Sequence, residues 1–176
     1  MAWQHFTLDL FLRIAQDVEQ VLNGLNEEEL HHQLSPNCNS IGWLVWHLTR
    51  SHDRNISELS GREQLWITEG WYTQFNRPPD PSDTGFGQSA EEATSFRAPD
   101  GGKLLTYNQV VVERIREYIL YTLSEGDLEK EIYSPTLGNT WTIRRRLVGI
   151  LAEGFEHVGQ AAYIHGLIKG HGWLGR

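Results

Sequence analysis

Apolar residues recur along this chain at helical spacing in four long segments. In the first, Leu10, Ile14, Val18, Val21 and Leu25 fall at three- and four-residue steps, which predicts a helix from about Trp3 to Gly24. Asn26 followed by Glu29 has the form of a reciprocal N-terminal cap, so a short helical turn is expected over Glu27 to His32. Ser35-Pro36-Asn37 then breaks the chain. The second helix opens at Asn39 or Ser40 and runs to about Leu59, where Ser60-Gly61 stops it. Its first half (Ile41, Trp43, Leu44, Val45, Trp46, Leu48) is apolar almost all round, so it should be buried or line a pocket.

A third helix is expected from about Thr106 to Ser124, with Val111, Ile115 and Tyr118 on one face. The fourth, from about Thr140 to Lys169, carries Ile143, Leu147, Ile150, Val158, Ala161, Ile164 and Ile168. Gly149, Gly154 and Gly159 interrupt it, each at a cost of about 1 kcal/mol against alanine. Close approach of another helix, or room for a bound group, would compensate.

Between helices two and three lies a connection from about Gly61 to Lys103. Arg77-Pro78-Pro79-Asp80-Pro81-Ser82-Asp83 and Pro99-Asp100-Gly101-Gly102 are loop signals within it. Bundle connections usually take about two to eight residues, so one this long is functional or crosses the bundle. It holds Trp66, Trp71, Tyr72, Phe75, Phe86 and Phe96, and disordered linkers are poor in aromatics. It should pack, as a partial lid over one bundle end. The pattern implies an all-α four-helix bundle, with residues 1–176 as one domain.

Composition narrows the function classes. A net charge of −8 and a pI near 5.4 argue against nucleic-acid binding. Arg144-Arg145-Arg146 is the basic run, and on a helix it fans around the circumference; it reads as solvated. The single cysteine, Cys38, excludes an intramolecular disulfide and fits a reducing cytoplasm. No stretch approaches the roughly 18 apolar residues that span a bilayer, and the N-terminus lacks a signal-peptide core. A cytoplasmic protein with no membrane partner is expected.

The candidate chemistry lies in Glu153-Gly-Phe-Glu-His157-Val-Gly-Gln160. Residues four apart on a helix stack on one face, about 6 Å apart along the axis. Glu153 and His157 could therefore point at one divalent ion, with a third ligand from a neighbouring helix. His47, in Trp43-Leu-Val-Trp46-His47-Leu48, is one donor; His52 is its rival. Taking roughly 100° per residue, the apolar stripe of helix two centres near His52 and leaves His47 about 120° away. The all-round apolar setting of His47 pulls the other way, and a hydrogen-bonded core histidine is the alternative for it. A buried carboxylate needs a partner; no lysine stands four residues from Glu153, though Arg146 could pair with it. His165 sits about 12 Å along the helix from His157, too far to share an ion. His5, His31, His32 and His171 read as solvated.

Several motifs carry a resemblance. Ser40-Ile-Gly-Trp-Leu-Val-Trp-His47-Leu-Thr-Arg50, Thr140-Trp-Thr-Ile-Arg144, Glu153-x-x-x-His157-Val-Gly-Gln160 and Gly166-Leu-Ile-Lys-Gly170 are similar to the DinB-like (DinB/YfiT) superfamily, regarded as metalloenzymes. The likeness covers nearly the whole chain. It implies a four-helix bundle whose second helix supplies one histidine ligand and whose last helix supplies two ligands four apart. On these positions the ligands would be His47, Glu153 and His157, with His52 left to core packing. Many members use three histidines. The carboxylate at 153 makes a His-Glu-His set that resembles the branch containing mycothiol-dependent maleylpyruvate isomerase, though that enzyme's second domain is not expected here.

The resemblance implies a divalent ion, zinc foremost with nickel or iron as alternatives, and a homodimer. It implies an enzyme that activates a low-molecular-weight thiol for transfer to, or isomerisation of, a small electrophile. A metal-dependent hydrolase and a non-catalytic metal-binding or dimerisation module are the alternatives. Trp43, Trp46 and the loop around Trp71 could wall the pocket or simply pack in the core.

Overall fold

The structure, a computed structural model, describes residues 2–170. Helix α1 (Ala2–Leu22) is followed by the single turn α2 (Glu27–Leu30), whose Asn26 and Glu29 form the expected reciprocal cap. Helix α3 (Ile41–Ser60) starts at Ser40, whose side chain accepts from the Trp43 N–H, and ends at Gly61 in the left-handed conformation. Three short helices, α4 (Leu65–Thr68), α5 (Trp71–Gln74) and α6 (Ala90–Ser95), punctuate the long connection. Helices α7 (Gly101–Glu117) and α8 (Ile143–Lys169) complete a four-helix bundle with α1 and α3. The expected architecture holds.

α3 packs against α8 and α7, and α1 against the same two, while α1 and α3 barely touch. α1 therefore lies diagonally opposite α3, and α7 opposite α8, while the consecutive helices α3 and α7 are neighbours. No described helix is long and apolar enough to cross a membrane.

Three elements differ from the sequence expectation. The third helix begins at Gly101 rather than near Thr106, because the Asp100 side chain accepts from the Lys103 N–H and caps it. Its last expected turn is a π-helical turn (Tyr118–Thr122). The Gln4 side chain donates to the Ile119 and Leu123 carbonyls, taking up backbone acceptors at that end. Before α8, an antiparallel hairpin joins β1 (Glu131–Ser134) to β2 (Asn139–Thr142), pairing Ile132 with Trp141. Thr140 to Thr142 thus belong to a strand, and Thr142 caps α8 through the Arg145 N–H.

Every residue of α3 from Ile41 to Ser57 is buried, so the expectation for its apolar first half extends through a polar second half. Burial of that kind requires partners. Asp53 accepts from the Leu65 and Trp66 N–H groups at the start of α4 and from the Tyr107 hydroxyl. Arg50 donates to Asp53, Tyr107 and the carbonyls of Pro81 and Asp83, and lies over the Trp66 ring. The connection packs as expected: Trp66, Phe75 and Phe96 are buried among Trp46 and Tyr107, with Phe86 left exposed.

The three glycines of α8 divide by surroundings. A Cβ on Gly154 would stand 2.8 Å from Ile14 Cδ1 and 2.9 Å from His52 Nε2, so this glycine is where α1, α3 and α8 close up. Gly149 has open space and lines a cavity; Gly159 is exposed with nothing nearby. Gly154→Ala should therefore destabilise the protein by about 1–3 kcal/mol through overpacking. Gly159→Ala should stabilise it by up to about 1 kcal/mol. Chemical unfolding of the two variants beside the parent checks both signs.

Candidate metal centre

His47, Glu153 and His157 converge where α3 meets α8. Their ligand atoms lie within 4.8 Å of one another, the one such cluster found among the described residues. His47 Nε2 is 3.1 Å from Glu153 Oε1, and His157 Nε2 is 3.9 Å from the same oxygen. Ligands about 2.1 Å from a tetrahedral ion stand about 3.4 Å apart, so the first separation is close to that spacing and a small movement of the His157 side chain would bring the third donor in.

The surrounding hydrogen bonds orient each candidate donor. The His47 Nδ1–H donates to the Thr84 carbonyl, 2.5 Å away, and Trp43 stacks flat on the ring. Behind it sits Gly85 at φ 88°, where a Cβ would fall 2.9 Å from both His47 Nδ1 and Trp43. Only glycine fits that approach. His157 Nδ1–H donates to Gln160 Oε1 at 2.9 Å, and Glu153 Oε2 accepts from the Ser51 hydroxyl at 2.7 Å. Partners of this kind fix tautomer and direction in metal sites.

This tautomer has an electrostatic consequence. With its Nδ1 proton given to Thr84, a neutral His47 turns a lone pair toward the Glu153 carboxylate. Two acceptors at 3.1 Å repel unless a cation lies between them, either a proton on Nε2 or a metal ion. Burial acts to raise the Glu153 pKa, but a hydrogen bond from His47, made when its Nε2 carries a proton, another from Ser51 and the nearby imidazoles outweigh it and lower it to about 2. The carboxylate is anionic throughout the physiological range. The donor set fits a divalent cation.

The remaining histidines fall elsewhere. His52 is buried against Phe11, with Nε2 3.3 Å from the Ile150 carbonyl; burial lowers its pKa to about 4 and keeps it neutral. It packs in the core, so the centre of the apolar stripe does not fall on the His47–Glu153–His157 cluster. His165 is buried beside the Val21 carbonyl. His31 is not merely solvated: it joins Glu27 O to the Ala98 N–H and ties α2 to the connection. His5 and His32 are exposed, and His171 lies outside the described residues. Arg146 also departs from expectation. It is buried and pairs with Glu58 and Asn55, not with Glu153, whereas Arg144 and Arg145 are exposed.

A cavity of about 390 Å³ opens beside the ligands, lined by His47, Ser51 and Glu153, with Phe86, Trp141 and Ile150 as apolar wall. That volume lies in the range of small-molecule sites. Trp46 is buried in the core and half-buried Trp71 packs against it, so the aromatic wall comes from the connection and the hairpin. Sequence reasoning missed Ser51, Thr84, Gly85 and Arg54. For Ser51 and Arg54 the available signal was a run of polar residues continuing on a helix whose first half was already expected to be buried; Thr84 and Gly85, on the connection, carried none.

With the site described, comparison places the chain. The sequence pattern of the DinB superfamily matches residues 10–161. This chain belongs to the DinB superfamily. Among solved structures it is similar to a conserved protein from Enterococcus faecalis (24% identity, 94% of this chain and 96% of that one, TM-score 0.82). It is also similar to YfiT from Bacillus subtilis, a probable metal-dependent hydrolase with an unusual four-helix bundle topology (13% identity, 95% and 88% coverage, TM-score 0.64). No curated protein matches. At these identities the structures show a shared fold.

If Glu153 is a ligand, Glu153→Gln should lower metal affinity by more than the roughly 10–100-fold lost when an outer-shell partner is removed. Competition titration with a chromophoric chelator measures this. Unchanged affinity would leave Glu153 as a base that does not touch the ion.

Proposed function

We propose that this DinB-superfamily chain is a metal-dependent enzyme that activates a nucleophile against a small molecule held in the adjoining cavity. One observation carries the reading: a triad whose electrostatics suit a cation, with two of its members, His47 and Glu153, lining a cavity. Three donors leave a coordination position for a reactant, whereas a structural ion is usually closed by four. The Glu153 side chain is 30% exposed, in keeping with an accessible site.

The residues that would hold the ion are His47, Glu153 and His157, and zinc is the ion we assign, with nickel or iron as outcomes of metal analysis. A divalent ion there would supply Lewis acidity, making a bound water or thiol a nucleophile near neutral pH. Thr84 and Gln160 would keep the imidazole lone pairs aimed at the site. Ser51 would hold the second carboxylate oxygen and limit Glu153 to one donor atom. Trp43 would shield the buried face of His47 from water.

We infer a low-molecular-weight thiol as the nucleophile, transferred to a small electrophile or used in its isomerisation. Support comes from the His-Glu-His set and its resemblance to the maleylpyruvate isomerase branch. An anionic ligand reduces the positive charge at the ion, which suits a thiolate that must leave to attack. Hydrolysis is the second reading, favoured by the structural likeness to YfiT.

Zinc-loaded protein assayed with mycothiol, bacillithiol and glutathione against a small electrophile, and with nitrophenyl esters without thiol, separates them. The expected result is thiol conjugation that a chelator abolishes and zinc restores. Ester turnover alone selects the hydrolase. Tight metal binding with neither activity would contradict the enzymatic reading and favour a metal-binding module.

A further inference from the structure

The cavity beside the triad contains two arginines that the metal does not need. Arg54 is 4% exposed and Arg146 is 2% exposed, and both line it. Arg54 Nε is buried with no hydrogen-bond partner, and Arg54 is in no ion pair within 4 Å among the described residues. Arg146 spends Nη2 on Asn55 and Glu58 and keeps Nε and Nη1 buried without partners. Unpartnered buried cationic donors are costly and call for an explanation.

Their placement relative to the triad is regular. His47, Ser51 and Arg54 lie at four- and three-residue steps on one face of α3. Arg146, Ile150 and Glu153 do the same on α8. Since His47 meets Glu153 while Asn55 and Glu58 meet Arg146, the two faces run antiparallel. Seven residues of helix put the arginines' backbone about 10 Å along the axes from the triad. Between them the wall is apolar, from Phe86, Leu137, Trp141 and Ile150.

We propose that Arg54 and Arg146 form an anion subsite that holds the carboxylate of a small, monoanionic substrate, whose apolar body lies against Phe86 and Trp141 toward the triad. The proposal rests on the reading of this cavity as the substrate site and names the class of molecule it takes. Charge selects a monoanion. Two guanidinium groups face one carboxylate, Glu58, at this end of the cavity, which leaves a single positive charge in excess there, with Glu153 lying toward the other end. A phosphate dianion would oppose both Glu58 and Glu153. Planar guanidinium forks match a carboxylate's two oxygens. Burial also presses the Arg54 pKa below its ordinary value, with Glu58 and Glu153 offsetting part of the shift. The Arg54 terminal nitrogens, which make no hydrogen bond among the described residues, are the donors a bound carboxylate would meet.

The test is calorimetric titration of full-length, metal-stripped protein with phenylacetate, its uncharged analogue phenylacetamide, and inorganic phosphate. Because metal is absent, the result is independent of whether the triad reading holds, which metal analysis of the protein before stripping reports separately. Phenylacetate should bind about 10- to 100-fold more tightly than the amide, the range expected for a hydrogen bond to a charged group. It should also bind more tightly than phosphate. Arg54→Met should lose most of that preference while its thermal midpoint stays the same or rises, and Arg54→Lys should keep part of the affinity. Equal affinity for acid and amide, no binding of phenylacetate at millimolar concentration, or undiminished binding by Arg54→Met would overturn the proposal. Tighter binding of phosphate would overturn the monocarboxylate assignment. Loss of stability or failure to fold in Arg54→Met would make Arg54 a structural counter-charge to Glu58 and Glu153, and would overturn it as well.

Discussion

The buried Arg50–Asp53 pair on α3 is the constraint on which the rest of the molecule depends. Neither side chain is exposed, and separating such a pair costs about 3–5 kcal/mol because it strands a charge. Each partner uses its remaining hydrogen-bonding capacity on the connection between α3 and α7. Asp53 holds the start of α4, and Arg50 holds the backbone at Pro81 and Asp83. A long connection is thereby fastened over α3 at both its beginning and its middle. The next carbonyl along, Thr84, accepts from His47, and Gly85 allows the backbone to approach that ring closely. The direction of the His47 lone pair is thus set by an ion pair one turn further along the same helix.

How much of this could be read in the sequence follows from the range of the interactions. The four long helices were legible because their apolar periodicity is local, and the caps at Asn26, Ser40 and Gly61 because capping chemistry is local too. The hairpin Glu131–Thr142 was not: its strands are four residues each, and the helical pattern of α8 runs back into β2 and masks it. Pro99-Asp100-Gly101-Gly102 reads as a loop, yet Asp100 caps α7 and the two glycines begin it.

The site divides in the same way. Glu153 and His157 could be paired from spacing alone, since one turn of helix determines their relation. His47 could not be separated from His52 by periodicity, because on a helix buried all round no face marks the inside; the family resemblance pointed to His47. Arg146 was misread as solvated because its partners, Asn55 and Glu58, are 91 and 88 residues away in sequence. The buried polar half of α3, including Ser51 and Arg54, is where local pattern and tertiary environment disagree most. Such disagreements concentrate at functional sites. Here they surround the cavity beside the triad.

The central claim is that His47, Glu153 and His157 bind one divalent ion together, and X-ray absorption spectroscopy of zinc-loaded, untagged protein tests it most directly. The account predicts a low-coordinate first shell of nitrogen and oxygen at about 2.0–2.2 Å. Outer-shell scattering should correspond to two imidazole rings, and one ring should be lost in His157→Ala. A sulfur scatterer at about 2.3 Å would implicate Cys38 instead. A shell of water oxygens without imidazole scattering would contradict the claim outright.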